Sequence, residues 1–236
     1  EQAKEDDLAS LIALMKLTLA ENFRAIFYTP FYLLKTLGLA EQAGLALEWL
    51  PPGSPGGAID AIKNGSVDLT WGGPMRVMKD HDTTPSNGQS LLCFGEVVSR
   101  DPFFLVGKKS LGRFELAQLR ELRMALVSEV PTPWLCLQAD LRDRGLNVPE
   151  IESKLIRGLS MPEQVQALQS GTLDVAQLFE PLASERLSDP AYQLLYAGHT
   201  RGATVYTTLI CSRNGWDKNH EAFTALSDVL RTLLFL

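Results

Sequence analysis

Histidine and cysteine are scarce, three of each, and their placement excludes more than their number does. Cys93, Cys136 and Cys211 form no CxxC or zinc-like spacing, so they read as small buried hydrophobes. His81, His199 and His220 are scattered, and none stands beside a nucleophile or a metal-ligand partner. No GxSxG, HExxH or Rossmann glycine pattern occurs. No catalytic residue, metal ligand or cofactor is therefore expected. Long apolar runs are missing as well: nothing approaches the roughly 18 residues needed to cross a bilayer. There is no excess of positive charge, and a net charge of -6 argues against nucleic acid or an anionic membrane surface as the partner. The opening EQAKEDDLASLIAL is acidic and then briefly apolar, unlike a secretory leader, which starts basic and carries a longer apolar core. Residues 1–14 read as an N-terminal extension ahead of Met15.

What the chain does contain is a phrase used twice. Ala61–Asp68 reads AIKNGSVD, and 106 residues later Ala167–Asp174 reads ALQSGTLD. Each has an apolar helical end, a polar pair, Gly, a small hydroxyl residue, an aliphatic residue and Asp. That interval is far longer than a solenoid repeat and points to a duplicated structural unit. A chain of 236 residues has room for two units of about 100 residues, each with its own core.

The match extends outward. LTLAEN (17–22) and MALVSE (124–129) are short apolar runs ending in polar residues, as a buried strand reaching a loop reads. Thr29-Pro30 and Thr132-Pro133 follow, with Thr expected as N-cap and Pro at the first helical position. Second strands are expected at 46–50 (ALEWL) and 152–156 (ESKLI). Second helices open at Ser54-Pro55 and at Ser160-Met161-Pro162-Glu163, where Ser and Glu fit a capping box. Gly65 and Gly171 then end them in the left-handed conformation, ahead of third strands VDLTW and LDVAQLF.

Each half thus reads strand, helix, strand, helix, strand. Right-handed crossovers between parallel strands give an α/β fold of two βαβ-based lobes. The expected division is 15–98 plus 204–236 for one lobe and 99–203 for the other, with a ligand cleft between them. In such sheets, ligands bind beyond the strand carboxyl ends, where helix N-termini also point. The expected ligand-binding residues are Tyr28, Thr29, Ser54, Gly56, Trp71, Gly72, Gly73, Thr132, Phe179 and Glu180.

Trp71-Gly72-Gly73-Pro74 is the most specific of these stretches. It is expected to offer a flat aromatic face beside exposed backbone N–H groups, and Trp71→Ala is expected to weaken binding without unfolding the protein. A packing role for Trp71 is the alternative. Ser54 either meets ligand or caps its own helix, and Glu180 either takes hydrogen bonds from ligand or caps a helix start. Arg24, Arg76 and Arg201 either pair with a ligand carboxylate or sulfonate or remain solvated at the surface.

The stretch FYTPFYLLKTLGLAEQAGLALEWLPPGSPGGAIDAIKNGSVDLTWGGP, with VQALQSGTLDVAQLFEPLA and DPFFLVGKK, resembles substrate-binding proteins of the nitrate/sulfonate/taurine import type, the grouping that includes NMT1/THI5-like proteins. The resemblance implies a type II periplasmic-binding-protein-like fold, a small-molecule ligand (sulfonate, carboxylate or pyrimidine-like), an ABC permease as partner, and a monomer. It implies a periplasmic or exported location, or a cytoplasmic one if Met15 is the native start. The other activity it implies is that of a cytosolic enzyme of the THI5-like pyrimidine or cofactor biosynthesis type, although the cysteine-rich motif of that branch is absent.

Overall fold

The structure, a computed structural model, describes residues 14–22, 24–53, 57–127 and 130–233. In chain order the elements are β1 (Met15–Ala20), α1 (Thr29–Thr36), α2 (Leu39–Gln42), β2 (Leu45–Leu50), α3 (Gly57–Lys63), β3 (Leu69–Gly72), α4 (Met75–Thr83) and β4 (Leu91–Val98). There follow β5 (Phe104–Lys108), β6 (Met124–Ala125), α5 (Thr132–Asp143), α6 (Val148–Glu152), α7 (Met161–Ser170), β7 (Val175–Leu178), α8 (Leu182–Leu187), β8 (Tyr192–Ala197), β9 (Thr207–Ser212) and α9 (Arg213–Leu233).

The contacts divide the chain into two units: one runs up to Val98 and resumes at Thr207, and the other is Ser99–Tyr206. The second boundary falls three residues beyond the one placed from sequence at 203/204. The first lobe holds a five-stranded sheet in the order β2-β1-β3-β9-β4. β1 is parallel to β2 and β3, whereas β9 is antiparallel to both β3 and β4. The second lobe holds a four-stranded sheet in the order β6-β7-β5-β8. β6 and β7 are parallel, and β5 is antiparallel to β7 and β8.

The duplication is visible in these orders. In each lobe the third strand of the repeat, β3 or β7, is flanked by an antiparallel strand that has just entered from a connection, β9 or β5. The expected second strand at 152–156 is reduced to a single parallel bridge between Ile156 and Ala125. Its start is taken by α6, because Val148-Pro149-Glu150 opens a helix with Pro in the first turn.

Two helix starts also differ from the sequence reading. Thr29 and Thr132 are the first helical residues rather than caps; Tyr28 and Pro131 precede them, without side-chain capping. The Thr29 hydroxyl instead donates to Ile26 O, which closes a 3-10 turn over Ile26–Tyr28. Ser160 does cap α7 in a box with Glu163, and Gly171 ends that helix at φ 77°. Gly65 sits at φ 79°. A Cβ at either position would strain the backbone, which is why both copies of the phrase carry Gly there.

Each lobe has its own core. Leu17, Leu19, Leu69, Leu91 and Ile210 are buried in the first. Met124, Leu137, Leu141, Ile151 and Val175 form one cluster in the second.

Candidate functional site

In the first lobe, β1 ends at Ala20, two residues before Asn22, and β3 ends within the Trp71-Gly72-Gly73-Pro74 stretch. Trp71 is 0% exposed. Its ring stacks on Phe31 at 4.4 Å between centroids, lies 5.0 Å from Tyr28 and meets Trp49 edge-on at 6.1 Å. The expected open stacking face is thereby corrected to a core aromatic. β3 is the central strand, and strand alternation turns residue 71 towards α1, whose Phe31 covers the indole. The indole N–H is buried with no hydrogen-bond partner among the described residues.

Gly72 points the other way. A Cβ there would meet Ile210 Cδ1 at 3.5 Å and Asn22 Nδ2 at 3.6 Å, and Gly72 O accepts the Thr208 hydroxyl at 3.3 Å. Gly73 is half-buried and leads into α4. Tyr28 is buried, and burial pushes its hydroxyl pKa well above the usual tyrosine range; the neighbouring Thr207 hydroxyl and Arg76 guanidinium act against that rise. Thr29 is exposed. Ser54 and Gly56 lie outside the described residues.

The three arginines separate clearly. Arg24 is exposed and paired with Glu21 at 3.2 Å. Arg201 is half-buried and its guanidinium is taken up by Asp101 and Asp140. Arg76 is half-buried in the first turn of α4, and no ion pair is formed by it among the described residues.

In the second lobe, Thr132 is buried at the start of α5, and Phe179 is buried edge-to-face against Phe103 at 5.3 Å. Glu180 is half-buried. Its carboxylate accepts the Ser184 N–H at 3.0 Å and the Ser184 hydroxyl at 2.8 Å, so the helix-start role is the one the structure displays. A cavity of about 390 Å³ lies at the carboxyl end of β6, lined by Leu126, Val127, Pro131, Trp134 and Arg157 among others.

The sequence reading missed the polar residues beneath these loops. Gln164 and Gln177 are both buried. Gln164 Oε1 accepts the Gln177 N–H at 3.0 Å, while its amide N–H donates to Leu126 O at 2.9 Å. Gln177 occupies the place of Trp71 in the repeat, a substitution the alignment of the two phrases could have flagged. Among the described residues at the strand ends, none resembles an activated nucleophile. Burial pushes the Cys136 thiol up to about 11 and the Cys211 thiol up to about 12; Cys93, expected to be buried like them, is instead exposed on β4, and partial desolvation raises its thiol.

The family described as NMT1/THI5 like matches residues 26–230, which takes in both occurrences of the duplicated phrase, at 61–68 and 167–174. The chain belongs to that family. The putative binding protein YtlA of Bacillus subtilis (strain 168) is 23% identical over an alignment 229 residues long, gaps included, that covers 88% of this chain and 62% of that protein. The chain therefore spans less than two thirds of that relative's length. Among solved structures, the periplasmic aliphatic sulphonate binding protein SsuA from Escherichia coli superposes with a TM-score of 0.74 at 18% identity, covering 91% of this chain and 71% of that one. The alkanesulfonate-binding protein SsuA from Xanthomonas axonopodis pv. citri, bound to MOPS, gives 0.70 at 20% identity, covering 92% and 72%. At these identities the likeness establishes the fold, that of the two-lobed periplasmic binding proteins.

Proposed function

We propose that the chain captures a small organic anion, a sulfonate or carboxylate, as the solute-binding component of an ABC importer. The observation that carries this reading is Arg76. It stands in the first turn of α4, next to the Gly72-Gly73 backbone and within electrostatic reach of Tyr28, and no described carboxylate pairs with it. A cation left unpaired beside bare backbone and a helix N-terminus suits an anionic head group. Tyr28, Thr29, Ser54, Gly56, Gly72 and Gly73 are the proposed contacts from the first lobe. Thr132, Phe179 and Glu180 are those from the second, where Glu180 orients its helix start through Ser184. Trp71 acts from behind, by fixing Tyr28. The likeness to two sulfonate-binding proteins supports the class of ligand. Delivery to a permease outside the cytoplasm, as a monomer, belongs to the same proposal.

The experiment is a thermal-melt panel of sulfonates, carboxylates and aminopyrimidines, with mass spectrometry of each compound before and after incubation. A melting rise with an anionic compound that is recovered intact is the expected result. No shift with any saturating compound overturns the reading, and conversion of the compound replaces it with the biosynthetic-enzyme alternative.

A further inference from the structure

Two chain segments lead out of the first lobe and back to it, at the two ends of the second, and a buried ion network fastens both. Asp101 lies on the outgoing segment, three residues past Val98, and is 3% exposed. Its Oδ1 accepts the Phe103 N–H at 2.9 Å and its Oδ2 accepts Arg201 Nη1 at 3.0 Å. Arg201 lies on the returning segment, just after β8. The same guanidinium donates from Nε to Asp140 Oδ1 at 2.8 Å and from Nη2 to Asp140 Oδ2. Asp140 is 3% exposed on α5 and also accepts the Tyr196 hydroxyl of β8 at 2.8 Å. Gly198 packs directly on this network: a Cβ there would fall 2.5 Å from the Asp101 carboxyl carbon. One fork thus joins the outgoing segment, the returning segment and the longest helix of the lobe.

The network is costly as a source of stability. Two carboxylates share one guanidinium, and burial of such groups is often no better than apolar packing, whereas loss of one partner strands the rest. Its use is better sought in what it positions. Beyond it the chain loosens. Ser99, Arg100, Ala203 and Val205 are exposed, Gly202 sits at φ 103°, and no regular element covers Gly202–Tyr206. A single backbone bond, Thr204 N–H to Ser99 O at 2.8 Å, ties the two segments there.

We propose that Arg201 is a positioning residue that clamps both connecting segments to α5, so that flexure of the connection is confined to residues 99–100 and 202–205, ahead of Tyr206, which is buried with its ring 6.1 Å from that of Phe103. The solute reading supplies a use for such flexure, but the clamp acts without solute and is tested without it.

The test is native-state hydrogen exchange on the solute-free protein, comparing wild type with Arg201→Met, Arg201→Lys and Asp101→Asn. In Arg201→Met the amides of Phe103, Gly198 and Thr204 are expected to exchange about tenfold faster or more, while Val106, Ala176 and Ile210 keep their protection. Arg201→Lys, which retains the charge but not the fork, is expected to fall between. Unchanged exchange at Phe103, Gly198 and Thr204 overturns the clamp. Equal acceleration at Val106 and Ala176 shows a support of the whole lobe, which also overturns it. If Arg201→Met does not fold, Asp101→Asn carries the test: it keeps Arg201 paired with Asp140 and is expected to loosen the Phe103, Gly198 and Thr204 amides alone. A failed solute panel leaves all of these outcomes readable.

Discussion

Asp68 and Thr18 are bound to each other twice: the Thr18 N–H donates to Asp68 Oδ2 at 2.8 Å, and the Asp68 N–H donates to Thr18 O at 3.0 Å. The second lobe repeats the arrangement between Asp174 and Arg123, with distances of 2.9 and 2.9 Å. The terminal Asp of the duplicated phrase is therefore the residue that sets β3 against β1 and β7 against β6. In the first lobe the same carboxylate also accepts the Asn219 amide at 3.0 Å, at the point where α9 departs from helical geometry (φ −123°, ψ 20°). Asp68→Ala is expected to cost about 1.5–3 kcal/mol, the usual range for hydrogen bonds to a charged group. Asp68→Asn, which keeps an acceptor, is expected to cost less. Urea unfolding of the two variants measures the difference.

Asp174 gives a pH dependence. Hydrogen bonds from the Arg123 side chain, together with its charge and backbone N–H, hold the Asp174 carboxyl below the usual carboxylate range. Its folded-state value lies below the unfolded one. The stabilisation is therefore complete above about pH 4, the unfolded range, and is lost as pH falls through the folded value. Asp174→Asn is expected to lower the melting temperature at pH 7 and to converge on wild type in acid. A difference that persists unchanged at low pH counts against the ion pair.

Trp71→Ala is expected to cost about 3–5 kcal/mol, as for other buried large-to-small aromatic changes. This reverses the expectation drawn from the sequence, that the variant would lose binding while remaining folded. Denaturant unfolding of Trp71→Ala and Trp71→Phe decides it: a near-wild-type midpoint for the alanine variant is incompatible with the stacking on Phe31.

Ser160 and Glu163 cap α7 reciprocally; the Ser160 N–H and hydroxyl donate to Glu163 Oε2 at 2.7 and 2.6 Å. Ser160→Ala is expected to cost about 1 kcal/mol. Because Glu163 then loses one of its partners, Ser160→Ala and Glu163→Ala are expected to be non-additive in a double-mutant cycle.

Arg76→Ala is expected to leave the melting temperature of the solute-free protein unchanged and to weaken binding of the anion found in the panel by about tenfold to a hundredfold, the range for one lost charge-assisted hydrogen bond. Isothermal titration with wild type and variant reads it. Equal affinity removes Arg76 from the site.

The repeat was legible because its parts act locally. Gly65 and Gly171 end helices, Ser160 with Glu163 starts one, and short apolar runs mark strands. The site was less legible because its residues depend on neighbours remote in the chain. Trp71 looked like a binding surface until Phe31 was seen to cover it. Glu180 had two open roles until Ser184 took up its carboxylate. Arg201 finds Asp140 and Asp101 at 61 and 100 residues' separation, and no local pattern announces either partner.

The amino-acid sequence by itself determined that two α/β units of one design follow each other in this chain, since caps, helix-ending glycines and short apolar runs act within a few residues. Only the tertiary structure decided which aromatic is walled in, and which of Arg24, Arg76 and Arg201 finds a carboxylate partner among the described residues. Those outcomes turn on burial and charge pairing between segments that meet only once the sheets have formed.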